Sequence, residues 1–218
     1  MFLQDIPLLL QVTRLLQAFL INLSILPPVL LISMIAGFFF STIRFYKIPV
    51  VSQFLFFASE IIRGSPFLLL IYAAFFILPL AGISLSPFGT GVCVLSVTGA
   101  VLMSEVLLSG LKTISKGQHY AADALGMSFL QKMRYIIAPQ MIKLTLPSIV
   151  GQIVMTIKDT SIVSLVGLAE VVRTAKQISQ LTLNTFLGYT IVGIFFFIVC
   201  YPLILLSKRL EKRLSTSS

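Results

Sequence analysis

The stretch TRLLQAFLINLSILPPVLLISMIAGFFFS, residues 13–41, holds a single charged side chain, Arg14, at its very start. A bilayer's hydrocarbon core of roughly 30 Å is crossed by about 20 apolar residues in a helix, so this run is long enough to span one. It lacks the apolar/polar alternation of a barrel strand, and a backbone in hydrocarbon must satisfy its own polar groups, so the run is predicted to be helical. Pro27 and Pro28 fall in its middle, where a kink is the plain expectation and a mechanistic hinge the bolder one.

Four further runs share this character: residues 50–80, interrupted near Arg63, 88–111, 144–168, interrupted at Lys158, and 185–207. They predict an all-α integral membrane bundle of about five transmembrane helices. Composition agrees, with 57% hydrophobic residues, 11% charged and a mean hydropathy of +1.03, against about 25% charged in a soluble domain. The net charge of +9 is not a nucleic-acid footprint, because the basic residues sit in the polar islands and at the C-terminus, where topology signals fall. Cys93 and Cys200 lie inside apolar runs and His119 is the lone histidine, so neither a disulfide framework nor a metal site assembles. The start, MFLQDIPLLL, has Asp5 and no early Lys or Arg, and the apolar run beyond it is too long for a cleaved leader; the N-terminus is expected to be retained.

If the islands alternate sides, Arg44, Lys47, Lys112, Lys116, Lys132, Arg134, Lys143, Lys208, Arg209, Lys212 and Arg213 share one face, against Arg14, Arg173 and Lys176 on the other. The richer face is expected to be cytoplasmic. This puts the N-terminus outside, the C-terminus inside, the turn from Pro79 to Pro87 outside, and makes residues 112–143 the largest cytoplasmic element. That segment, KTISKGQHYAADALGMSFLQKMRYIIAPQMIK, has small or apolar residues at Ala121, Ala124, Leu125, Phe129 and Met133, a helical spacing. An amphipathic helix is predicted, opened at Gly117 and ended or kinked at Pro139. Periodicity alone leaves open whether it lies on the membrane, held by Lys132 and Arg134, or docks on a partner.

The order of motifs in this segment favours a partner. KGQ, YAADALG, an apolar stretch, APQ and then Leu146-Pro147 resemble the cytoplasmic loop of ABC-importer permeases, known as the EAA loop. EIIRGSP at Glu60 to Pro66, SEVLLSG around Glu105 and IKDTSIVSLVGLAEVVR from Ile157 to Arg173 resemble the polar-amino-acid branch, with the glutamine-type permeases most alike, and the likeness covers nearly the whole chain. It departs from the pattern at Tyr120, where the loop signature begins with an acid, at Leu108, where the branch is usually basic, and at Gly151, where an Asn is common.

The resemblance implies one permease domain over 1–218 with its coupling loop at about 112–143. Gly117, Tyr120, Ala121, Ala122, Ala124, Leu125 and Gly126 would then form a coupling helix seated on an ATPase subunit. It implies transport of a polar amino acid, glutamine by closest likeness, together with an extracytoplasmic binding protein, a second permease copy or homologue, and a bacterial inner-membrane location. ATP would be held by the partner: the sequence contains no G-x-x-x-x-G-K-[ST] loop and no nucleophile set, so no cofactor and no enzymatic activity are expected in this chain.

Four ionisable residues inside the apolar runs are candidates for the substrate path. Arg63 either pairs structurally with Glu60 three residues earlier or shapes the inner gate or binds lipid; Glu105 holds a substrate ammonium, pairs with Arg63 or bonds to neighbouring helices. Lys158 lines the path or bridges to another span, and Asp159 points elsewhere on the helix, so at least one of the two needs another partner. Ser96, Ala100 and Ser104 form a small-residue stripe for close helix packing. A secondary transporter or channel for a small polar solute is the alternative, since broken helices and buried charges are normal there too; the odd span count and lack of an inverted repeat count against it. A membrane-embedded assembly subunit would explain the hydrophobicity but not the loop.

Overall fold

Proline marks most of the places where the helices of this chain begin or break. The computed structural model describes residues 7–215, and among them every regular element is helical. Helix α1 (Leu8–Phe45) starts after Pro7, α2 (Val51–Gly64) stops before Pro66, α3 (Phe67–Ile77) starts after it, and α4 (Pro87–Thr113) carries proline in its first turn. There follow α5 (Lys116–Ala124), α6 (Phe129–Lys132), α7 (Ala138–Asp159), α8 (Val171–Thr182) and α9 (Thr185–Ser215).

Four helical runs are long and apolar enough to cross a membrane: α1, α4, the continuous run Phe129–Val166 and α9. The pair α2 and α3, with a short 3-10 turn to Ala81, makes a fifth if taken as one broken span, and it bends by 106°. The break expected near Arg63 falls at Ser65, whose extended backbone (φ −96°, ψ 135°) is what a residue preceding proline adopts. Helix α1 exceeds the predicted 13–41 at both ends and runs through Pro27 and Pro28 as one helix. At 1.5 Å per residue, Arg14 and Arg44 stand about 45 Å apart along it, so both charges can leave the hydrocarbon.

Helix α4 is the centre of the bundle. Its span is 61% buried, against 17% for that of α9. Glycine makes this possible: a Cβ on Gly99 would lie 2.3 Å from Ser33 Oγ of α1, and one on Gly110 would lie 2.3 Å from Thr145 Cγ2 of α7. Two apolar clusters flank this contact. Ile25, Val29, Ile71, Leu95 and Val163 join α1, α3, α4 and the 3-10 turn after α7, while Met103, Leu107, Leu111, Ile137 and Met141 join α4 to the start of the fourth span.

The structure corrects the expected single amphipathic helix of the 112–143 segment. Helix α5 ends at Ala124, and Gly126 takes the left-handed backbone (φ +68°) that closes helices. A capping box then opens a second helix: Ser128 Oγ accepts from Gln131 N and Gln131 Oε1 accepts from Ser128 N. This helix does not stop at Pro139. A π turn over Met133–Ile137, with Ala138 N–H donating to Met133 O, passes into α7 and moves the backbone off the four-residue register in which a proline ring clashes. The helix that carries the fourth span therefore begins well before residue 144.

Helix α8 has no counterpart among the predicted spans. It is too polar for a hydropathy reading, yet Val171, Ala175 and Ile178 recur at helical spacing and bury against Leu15 and Phe19 of α1 and Val192 of α9.

Candidate functional site

The sequence brings two of its four path candidates together. Glu105, on α4, accepts a hydrogen bond from Arg44 at the end of α1 and lies 3.3 Å from the Arg63 guanidinium at the end of α2, which also reaches Glu60 at 3.2 Å. The pairs Arg63–Glu60 and Arg63–Glu105 match the sequence expectation. Arg44 was not expected: it reads as a topology residue just past a span. Its side chain is only 9% exposed and lies over the Phe56 ring at 5.8 Å, the favourable geometry for a cation on an aromatic face. The four charges balance, two against two.

This cluster borders a cavity of about 270 Å³ between α1, α2 and α4, lined by Ala36, Phe40, Ala58, Ser59, Ala100 and Ser104 among others. The small-residue stripe Ser96, Ala100, Ser104 thus serves both purposes: it admits α1 closely and leaves room beside α2. Ser96 Oγ is buried with no hydrogen-bond partner among the described residues.

Lys158 and Asp159 behave differently. They end α7, Lys158 exposed and Asp159 partly buried, and among the described residues neither side chain makes a salt bridge or a hydrogen bond. An ionisable group within a span costs about 2.5–3.5 kcal/mol on insertion scales unless it meets a cavity or a partner. The bridge to another span of the same chain, one of the sequence alternatives, is not formed among the described residues.

A third polar site escaped the sequence reading. Asn22, mid-way along α1, donates from Nδ2 to Glu170 Oε2 (2.9 Å) and to Thr160 Oγ1 (3.1 Å), and its Oδ1 accepts from Val171 N–H (3.1 Å). Glu170 is 0% exposed, and its second oxygen caps α8 by accepting from Arg173 N–H at 2.9 Å. One carboxylate and one amide so tie α1, the end of the fourth span and α8. The available signal was an acid immediately before an amphipathic stretch, where a helix N-cap is expected.

The loop candidates divide cleanly by face. Ala122 is wholly buried, and Met127 N–H donates back to Ala122 O, whereas Tyr120 is 69% and Leu125 78% exposed, with Gly117, Ala121, Ala124 and Gly126 also open. Asp123 and Lys132 form a 2.6 Å salt bridge that braces α5 against α6. His119 stacks on Phe45 and Tyr46 packs edge-on to Phe129, which together seat the loop on the end of α1. Burial, then Lys132 nearby, holds the His119 imidazole below its ordinary value, and burial raises the Tyr46 phenol. Leu130 and Tyr135 extend the exposed apolar face, an arrangement that water does not favour. Among the described residues no three metal-ligating side chains gather.

A polytopic helical bundle carrying such a short, rigidly braced helix outside its spans is the architecture of a transport permease. Residues 30–216 match the model of the binding-protein-dependent transport system inner membrane component family. The chain belongs to this family, whose members are permease subunits of ABC importers in the inner membrane, and it is a multi-pass membrane protein. It is 36% identical to the probable glutamine ABC transporter permease protein GlnP of Bacillus subtilis (strain 168), over 84% of this chain and 87% of that one. It is 30% identical to the arginine transport system permease protein ArtQ of the same organism, over 95% of each. The crystal structure of an amino acid ABC transporter with histidines superposes with a TM-score of 0.83 at 26% identity, covering 96% of this chain and 99% of that one. An inward-facing methionine transporter, MetNI, shares the fold with a TM-score of 0.76 at 15% identity, covering 92% and 95%.

Proposed function

We propose that residues 1–218 form one permease domain that moves a polar amino acid, glutamine by the names of its relatives, through a path made by two permease subunits. The observation that carries the coupling half of this reading is the loop geometry. Helix α5 is anchored inward through the buried Ala122, the His119–Phe45 stack and the Asp123–Lys132 bridge, while Tyr120 and, just past its end, Leu125 stand out, 69% and 78% exposed. A cytoplasmic ATPase with a cleft for this helix supplies the missing burial. ATP binds to that partner and not to this chain, and an extracytoplasmic binding protein delivers the amino acid.

The basic bias supports an orientation with the N-terminus outside and the C-terminus and α5 cytoplasmic. The Asp123–Lys132 brace across the Gly126 turn suits a lever, since it links motion imposed on α5 to α6 and so to the fourth span. ATP closure then favours one of two arrangements of the spans, by binding one more tightly than the other.

For the path itself, Arg63 and Glu105 are the stronger candidates, beside the cavity under α2. A zwitterionic amino acid presents an ammonium and a carboxylate, and the Glu105 carboxylate with the Arg63 guanidinium offers the complementary pair at the price of opening their contact. Lys158 and Asp159 are open to a neighbour on the far side of the same spans.

The test is labelled-glutamine uptake and ATPase binding in proteoliposomes with Gly126→Asp. A Cβ at Gly126 meets nothing within 4 Å, and although a side chain at its φ of +68° is strained, Asp tolerates left-handed backbone better than most residues, so the chain is expected to insert, which the amount recovered in the liposomes checks. Loss of ATPase binding and at least about tenfold slower uptake are expected, as removal of about 1.4 kcal/mol or more of docking energy requires. Normal co-purification of the ATPase would remove α5 from the coupling role.

A further inference from the structure

The cavity between α1, α2 and α4 is long and thin. Ile32, Ala36, Phe40 and Arg44 line it at intervals of four residues along one stripe of α1, so it follows that helix for about 18 Å, yet its volume is only about 270 Å³. Leu55, Ala58 and Ile62 of α2 and Ala100 of α4 wall it with aliphatic surface. Of its three serines, Ser59 and Ser104 donate to the backbone oxygens of Phe56 and Val101 in their own helices, at 2.7 Å each, which leaves Ser96 Oγ without a partner. A glutamine side chain, with two N–H donors and a carbonyl, would find one free hydroxyl donor there. Water does not fill a cavity with such walls either.

Its length is that of one leaflet. Half of a hydrocarbon core of roughly 30 Å is about 15 Å, and the cavity begins at Arg44, at the end of α1 where that helix leaves the hydrocarbon. Ile32, Phe54 and Val97 on its rim are 45%, 70% and 49% exposed, so that side is open. At the same end, Arg63 and Glu60 keep 42% and 51% of their side chains exposed, 3.2 Å apart, and their chain neighbours Ser59 and Ile62 line the cavity. Arg44 itself is covered and answered by Glu105, so the exposed charges are one cation and one anion. A guanidinium matches a phosphate, and a carboxylate accepts from a primary ammonium. A hydrocarbon chain joined to those two groups is an aminophospholipid.

We propose that this cavity holds one acyl chain of a phospholipid from the leaflet at the Arg44 end of α1, with the lipid phosphate on Arg63 and its primary ammonium on Glu60. Such a lipid is a fixed companion of the helices that hold it and not cargo of the importer. It fills the space that the small side chains of Ala36, Ala58 and Ala100 leave between α2 and the α1–α4 pair, and Glu105 keeps Arg44 as its partner.

The experiment is photo-crosslinking in phosphatidylcholine liposomes that hold the full chain with its ATPase and a trace of phosphatidylethanolamine carrying a diazirine midway along one chain. Label is expected on residues 54–62 and 97–101, severalfold above that on the outer face of α9 at Ile194, Phe197, Ile198 and Tyr201, which are exposed bulky side chains of the kind bulk lipid touches. Unlabelled phosphatidylethanolamine with the same chains is expected to suppress the cavity label, and the same amount of added phosphatidylcholine, whose quaternary nitrogen has no N–H, is expected to leave it. Ala58→Phe and, independently, Ala36→Phe fill the cavity from partly buried positions and are expected to lower its label to the α9 level. Glu60→Gln, at a half-exposed side chain, is expected to keep the fold and remove the preference for phosphatidylethanolamine. Equal labelling of the α9 face, equal competition by phosphatidylcholine, cavity label unchanged in both phenylalanine variants, or a preference unchanged in Glu60→Gln would each overturn the proposal. Displacement of the probe by saturating glutamine would overturn it too, by giving the site to the transported solute.

Discussion

The polar groups within the apolar helices of this chain fall into two sets. At the inner surfaces of α1 and α4 the larger polar groups are answered within the chain: Asn22 by Thr160, Glu170 and the Val171 backbone, Glu105 by Arg44 and Arg63. On α7, the exposed Lys158 and the partly buried Asp159 make no salt bridge or hydrogen bond through their side chains among the described residues, and Gly151 is uncovered. Buried polar groups without partners are costly everywhere and more so where no water competes. The first set therefore stabilises the single subunit, and the second adds little to it.

That contrast breaks most easily at Asn22. Replacing it by leucine removes three hydrogen bonds and strands a carboxylate oxygen of a fully buried Glu170; the expected loss is about 2–4 kcal/mol in subunit stability, larger than a single interhelical bond in a membrane provides. Reversible denaturation in mixed micelles measures it, and a loss below about 0.5 kcal/mol would mean that the network is not structural.

A smaller effect is expected at the charge cluster. Glu105→Leu leaves the Arg44 side chain, 9% exposed, without its main counter-charge, for an expected loss of about 1–3 kcal/mol. Combining it with Arg44→Met recovers part of that, because the stranded charge goes with its partner. If the double variant is as unstable as the sum of the two single ones, Arg44 and Glu105 do not act as a pair.

The smallest effect sharpens the other side of the comparison. Lys158→Met is expected to change the stability of the dispersed single subunit by no more than about 0.5 kcal/mol, as for a surface position. In the same measurement, a loss comparable to that of Asn22→Leu would show that Lys158 has a partner inside its own chain after all.

How much of this was legible in advance follows from the range of each signal. Hydropathy over about 20 residues found α1, α4 and α9, because bilayer thickness imposes that length whatever the neighbours do. It found α7 but began it too late, since the capping box at Ser128 and the π turn through Pro139 are local geometry that averages out over a hydropathy window. The Glu60–Arg63 pair was legible at three-residue spacing, and its contact with Glu105 was among the readings the residues allowed. Arg44–Glu105 and Asn22–Glu170 join residues 61 and 148 positions apart, and nothing in either local sequence names the other.

The sequence by itself determined that this chain lives in a membrane and where most of its spans lie, because the solvent and the local chain geometry act on short stretches. Tertiary structure decided which charges far apart in the chain are satisfied. That depends on α1 lying against α4 closely enough for Gly99 to meet Ser33 and on α8 folding back over α1, so that groups far apart in the chain share one site while Lys158 and Asp159 are left facing outward.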